Sequence, residues 1–154
     1  MSRAFVRESA ENAEPLPERI ISPHPNLVTP AGLRQIDDQI RELEAARRTA
    51  RQGADKSTLA RVARDLRYWN PRRATARVVE PIATPDAARF GVQVTLELAG
   101  GTQRRFRIVG EDEADPARGL VSWVSPFGEA LLGARLGESV RFQESDAEIV
   151  GLET

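Results

Sequence analysis

The sequence predicts an α+β protein: an N-terminal antiparallel helical hairpin followed by a small antiparallel sheet with one helix packed on it. Three observations carry that expectation. Between residues 29 and 73, apolar residues recur at steps of three and four in two runs, one on each side of a glycine-containing turn. After residue 74 the period falls to two, as in half-buried strands. One run, PFGEALLGA from Pro126, breaks the strands with the chemistry of a helix start.

Residues 1–28 hold Pro15, Pro17, Pro23 and Pro25 and show neither period. Such a segment buries too little apolar surface to offset its ordering entropy, so an extended or mobile arm is expected. Ile20, Ile21, Leu27 and Val28 are its candidate anchors. Residues 29–73 form the hairpin. Thr29 caps the first helix and Pro30 suits its first position, where a missing N–H costs nothing. Leu33, Ile36, Ile40 and Leu43 make one narrow seam, which Ala46 and Ala50 continue. Asp55 caps the second helix, whose seam is Leu59, Val62, Leu66 and Trp69, and Asn70-Pro71 is expected to end it. Its shorter length implies that part of the first helix lies against the following unit. Residues 74–154 read as strands ARVVEPI, a hairpin turning at Gly100-Gly101, GLVSWVS, ESVRFQ and AEIVGLE, with the one short helix between.

Composition removes several function classes. No Cys is present among the 154 residues, so disulfides, thiolate metal sites and a Cys nucleophile are absent together. The single His, His24, stands in the Pro-rich arm, which leaves neither a Ser-His-Asp triad nor a zinc site. No apolar run approaches the roughly 18 residues of a membrane span, and no signal-peptide core is visible. A soluble, cytoplasmic chain that is not an enzyme and carries no cofactor or metal is expected. The net charge of −1 divides as −1 over residues 1–29, +5 over 30–73 and −5 over 74–154. A basic unit joined to an acidic one faces two different environments.

Three places are candidates for function. GEDEAD, residues 110–115, crowds Glu111, Asp112, Glu113 and Asp115 into six positions. It reads as a solvated acidic loop or as a partner contact. Its spacing fits neither an EF-hand nor a His-assisted metal site. The hairpin turn is basic, with Arg47, Arg48, Arg51 and Lys56 around the single acid Asp55 and Arg61 just beyond. That is a solvated helical face, or a contact for phosphates or an acid-rich centre. In VSWVSPFGEALL, Ser125-Pro126 caps and starts the short helix, while Trp123 and Phe127 are core or docking area. Tyr68 and Trp69 beside Arg72 and Arg73 have the composition of a stacking surface, but Trp69 falls on the seam and reads as core.

FRIVGEDEADPARGLVSWVSPFGEALLGARLGESVRF resembles the C-terminal domain of the GreA/GreB transcription elongation factor family, in which I-V-G-x-x-E-A-D precedes I-S-x-x-S-P-x-x-x-A-L-x-G. The matching residues include Ile108, Val109, Gly110, Glu113, Ala114, Asp115, Ser122, Ser125, Pro126, Ala130, Leu131, Gly133 and Gly137. LVTPAGLRQIDDQIREL is similar to the start of that family's coiled coil, and ERIISPHPNLVTPAGL to the lead-in of GreB-like members. The resemblance implies an FKBP-like C-terminal domain and a coiled coil that enters the secondary channel of bacterial RNA polymerase, with only indirect contact to nucleic acid. It implies polymerase-rim contacts at Asp112, Glu113, Asp115, Ser122, Trp123, Ser125, Pro126 and Phe127. Val124 stands where GreB-like members offer an acid.

The turn departs from the family. Cleavage-active members carry a D-x-x-E pair that helps to hold a second Mg²⁺, and Mg²⁺ needs several anionic oxygens at close range. Here Asp55 stands alone among cations, and Glu44 lies about 13 Å down the arm by helical rise. Weak or absent stimulation of transcript cleavage is therefore expected. The alternatives are a cleavage factor that works with Asp55 alone, or a binding protein resembling the regulator of nucleoside diphosphate kinase. Prolyl isomerase activity suits the implied fold, but no aromatic-lined pocket is evident in the sequence.

Overall fold

The computed structural model describes residues 15–154. The first half of the expected arm, residues 1–14, lies outside the described residues. Helix α1 (Pro30–Gln52) and helix α2 (Lys56–Thr75) form the hairpin. Thr29 Oγ1 accepts from Gly32 N at 2.9 Å and so caps α1. Asp55 does the same for α2 through Thr58 N at 3.1 Å. The two seams meet as expected: Ile36, Ala50, Val62, Leu66 and Trp69 are buried between the helices. Leu33, Ile40 and Leu43 flank them half-buried. Each seam is narrow, so one apolar pair per turn joins the helices and their outer faces stay charged.

Two expectations for the hairpin are corrected. Asn70-Pro71 does not end α2, which runs through Pro71 to Thr75. A proline inside a helix removes one hydrogen bond and crowds a carbonyl, a cost of about 3 kcal/mol. One bond within the last turn and one from the preceding segment hold the helix past it. Thr75 Oγ1 donates to Pro71 O at 2.9 Å, and Asn26 Nδ2 donates to Arg72 O at 2.7 Å. The second correction concerns length. With 20 residues against 23, α2 is nearly as long as α1, and both helices reach the following unit.

Residues 18–28 run alongside α2. Glu18 receives Arg67 Nε at 3.0–3.1 Å, and the Arg19 guanidinium lies 3.9 Å from the centre of the Tyr68 ring. Strand β1 (Leu27–Val28) then pairs in parallel with β2 (Arg77–Val78) as a separate two-stranded ribbon. The sequence placed ARVVEPI among the strands of the main sheet, and the structure corrects this. Its amides at Arg77 and Val79 go to Asn26 O and Val28 O instead. Of the four candidate anchors, Val28 is buried and Leu27 half-buried, while Ile20 is 91% exposed and Ile21 also faces solvent.

The second unit is a five-stranded sheet in the order β5-β4-β3-β7-β6. Its strands are β3 (Gln93–Glu97), β4 (Gln103–Val109), β5 (Leu120–Ser122), β6 (Ser139–Phe142) and β7 (Ser145–Glu153). The fold is α+β as expected, but the sheet is mixed, because β4 and β5 pair in parallel. The reason is the connection: the acidic run turns twice between them and brings the chain back in the same direction. Helix α3 (Pro126–Leu131) packs on the sheet, with Ser125 Oγ accepting from Gly128 N at 3.1 Å as its cap. Alternation places Val94, Leu96, Phe106, Ile108, Val140 and Ile149 on one face, where they bury against Leu131. No helix among the described residues is long and apolar enough to cross a membrane.

Candidate functional site

GEDEAD is not a solvated loop. Its first three acids form a single 3-10 turn, Glu111–Glu113, lodged between the bases of α1 and α2. Asp112 Oδ2 accepts from Arg72 Nε at 2.6 Å, and Asp112 Oδ1 accepts from the Tyr68 hydroxyl. The Arg72 side chain is 2% exposed and that of Asp112 13%, so this ion pair is nearly desolvated. Glu111 Oε2 is buried with no hydrogen-bond partner among the described residues, 3.9 Å from Arg72 Nη2. On the α1 side, Thr29 Oγ1 donates to Glu113 Oε2 at 2.5 Å, setting a carboxylate at the positive end of that helix. Backbone closeness requires glycine at Gly110, where a Cβ would stand only 2.3 Å from Leu27 O, whereas a Cβ on Gly32 would meet the end of the Glu113 side chain, Oε2, at 2.6 Å. Burial, followed by the hydrogen bond to Asp112, pushes the Tyr68 hydroxyl up to about 12. The turn is thus a bracket that sets the hairpin on the sheet unit.

The residues implied to contact a partner separate into two groups. Asp112 and Glu113 are engaged by the hairpin, and Trp123 turns toward the segment 18–28, where its ring meets His24 edge-on at 6.2 Å. Trp123 Nε1 is buried without an acceptor among the described residues. Ser122, Ser125, Pro126 and Phe127 instead border an open cavity of about 710 Å³ between α3 and the sheet. Ala114 and Pro116, on either side of half-buried Asp115, line its far wall. Phe106, Phe127 and Phe142 pack ring on ring at its base, with centroids 5.0–5.3 Å apart. An aromatic-lined pocket therefore exists. The sequence did not show it because its three rings come from β4, α3 and β6, 21 and 15 residues apart in the chain.

At the hairpin turn, Asp55 is exposed and caps α2. Its Oδ1 accepts from Thr58 N and Ser57 Oγ, both at 3.1 Å, and its Oδ2 from Thr58 Oγ1 at 2.6 Å. These bonds, the Thr58 hydroxyl foremost, hold its carboxyl below the usual Asp value. Arg47 pairs with Glu44, while Arg48, Arg51, Lys56 and Arg61 are exposed. The tip is cationic, and its one carboxylate already serves three donors.

Arg72, Tyr68 and Thr29 as partners of the acidic turn escaped the sequence reading. One signal was present: Arg72 stands three residues after Trp69, a seam step, and a charge on a buried face demands a buried countercharge. Nothing in the sequence joined Arg104 or Arg141 to the Phe cluster.

Known proteins similar to this chain converge on one family. The family model described as transcription elongation factor, GreA/GreB, C-terminal matches residues 83–152. A transcription elongation factor GreB from Xanthomonas axonopodis pv. citri is 36% identical over 132 residues, covering 73% of this chain and 79% of that protein. A GreA from Paracoccus denitrificans is 33% identical over 132 residues, 73% of this chain and 85% of the relative. Among solved structures, a GreA/GreB factor from Nitrosomonas europaea is 19% identical with a TM-score of 0.42, covering 83% of this chain and 98% of the other.

Proposed function

Since the chain belongs to the GreA/GreB family of transcription elongation factors, we propose that it binds bacterial RNA polymerase, inserts its hairpin into the secondary channel, and regulates elongation with little or no stimulation of transcript cleavage. At about 1.5 Å per residue the 23 residues of α1 give an arm of roughly 35 Å, long enough to act away from the docking site. One observation carries the second half of the proposal. The only carboxylate at the tip accepts three hydrogen bonds inside its own cap and is surrounded by cations. A divalent cation bound in an active centre needs oxygen ligands that are free and not opposed by like charge. Arg51 and Lys56 would instead bring positive charge to that centre and compete with the ion.

Crosslinking tests the placement. A photoreactive residue at position 53 is expected to label the catalytic subunit of core polymerase. Absence of any association at micromolar protein and moderate salt would overturn the proposal. The tip also accepts a repair experiment. Gly53 has φ −86°, and a Cβ there meets nothing closer than Thr49 O at 3.7 Å, so Gly53→Asp with Lys56→Glu restores a D-x-x-E spacing without strain. This variant is expected to increase cleavage of backtracked RNA.

A further inference from the structure

The cations of the hairpin tip lie at the end of a track that the N-terminal segment already follows. Residues 18–28 run along α2 in the helix's own direction: Arg19 Nη1 lies 3.6 Å from Asp65 Oδ1, and Asn26 Nδ2 reaches Arg72 O at 2.7 Å. Followed backwards, the segment therefore heads for the tip. Charge holds it where it is placed, since Glu18 takes Arg67 and Arg19 takes Asp65. The track is one face of the helix. Asp65, Tyr68 and Arg72 stand on it at steps of three and four, and the same step toward the tip leads to Arg61. Arg61 is exposed, as are Lys56, Arg51 and Arg48. Among the described residues none of these four pairs with a carboxylate.

The sequence that precedes the track carries the matching charge. ESAENAE, residues 8–14, holds Glu8, Glu11 and Glu14 and no cation. We propose that residues 8–14 are an internal cover for the basic tip, which masks its charge until a more strongly anionic partner displaces them. The reach agrees. From Arg19 back to Glu14 is five residues, roughly 15 Å of extended chain at about 3.1 Å per residue. From Asp65 back to Lys56 is nine residues, roughly 14 Å of helix at about 1.5 Å per residue. Glu14 can thus come level with Lys56, and the chain before it is long enough to round the turn toward Arg51 and Arg48. A short tether presents these carboxylates at an effective concentration of about millimolar. Each exposed ion pair is weak, so the cover is a threshold and not a lock. It belongs to the free chain and does not depend on which partner the tip meets.

Two measurements on the full chain test it. The chain has no Cys, so a nitroxide on Ala13→Cys is the single label. At low salt it is expected to broaden the amide signals of residues 56–61. The signals are expected to recover when the labelled chain also carries Glu8→Gln/Glu11→Gln/Glu14→Gln. Recovery is also expected at about 1 M salt, where screening acts within about 3 Å. No broadening at the tip, or equal broadening with and without the three Gln substitutions, would overturn the proposal. So would equal broadening of an unlabelled chain mixed with a labelled one, which would place the contact between two copies. In the second measurement, fluorescence anisotropy follows a labelled oligo-aspartate peptide. The Gln variant is expected to bind it about threefold tighter or more, because three exposed competitors are gone. Adding Arg51→Gln/Lys56→Gln/Arg61→Gln is expected to abolish that gain, and these exposed positions leave the melting temperature unchanged. Equal affinity of the parent and the Gln variant, or binding of the peptide to neither, would overturn the proposal. Neither measurement contains polymerase, so their failure leaves the polymerase reading standing, and failure of that reading leaves the cover intact.

Discussion

Arg72 is the most informative residue to change. Its guanidinium is 2% exposed, bonded to Asp112 at 2.6 Å and 3.9 Å from Glu111. Arg72→Ala leaves two carboxylates and a phenol around an empty site with no cation. Removing one partner of a buried ion pair typically costs about 3–5 kcal/mol, because the remaining charge keeps its desolvation penalty. For a chain of this length that corresponds to a fall in melting temperature of roughly 6–20 °C. The companion variant separates charge from packing. Arg72→Met with Asp112→Leu and Glu111→Met removes all three charges and keeps most of the volume, and such replacements are commonly neutral or stabilising. Equilibrium denaturation, followed by the fluorescence of Trp69 beside the bracket and Trp123 beyond it, gives both values. A loss below about 1 kcal/mol for Arg72→Ala, the level of an exposed pair, would refute the claim that this bracket fixes hairpin to sheet.

Three further outcomes follow from the same geometry. Tyr68 is the only tyrosine, so near-ultraviolet absorbance reads it alone: phenolate is expected near pH 12 in the folded chain and at lower pH in Asp112→Asn. The sign follows from linkage. A raised value means the folded state keeps a proton the unfolded chain releases, so this contribution is complete below pH 10 and falls as pH rises toward 12. Thr29→Val removes both the cap to Gly32 N and the donor to Glu113, and thermal melting is expected to show a loss of about 1–2 kcal/mol. Ala54 has φ 51° in the hairpin turn, so Ala54→Gly should raise the denaturation midpoint, gaining about 1 kcal/mol by relieving left-handed strain.

What could be read from the sequence was the local part of the structure. Thr29, Asp55 and Ser125 declare their caps within three residues, and the seams of both helices show in their spacing. Alternation revealed the β3–β4 hairpin, with Val94 opposite Phe106. What remained hidden depended on residues far apart. Arg72 and Asp112 are 40 positions apart, so the acidic run looked like a surface feature when it is a structural bracket. Pro71 was read as a stop because its neighbours in the chain favour one, while the contacts that carry the helix past it come from Asn26 and from Thr75 in the last turn. The cavity is a tertiary object built from three elements. The charge of the tip, by contrast, was legible at once, since a count of charges around one turn needs no fold.

The central claim is that this tip cannot recruit a divalent cation. Cleavage of backtracked RNA in stalled elongation complexes, measured with the unmodified chain at saturating concentration, tests it most directly. The expected rate is no greater than that of polymerase alone, in complexes to which the chain is bound. A rate matching that of a GreB carrying both acids would contradict it.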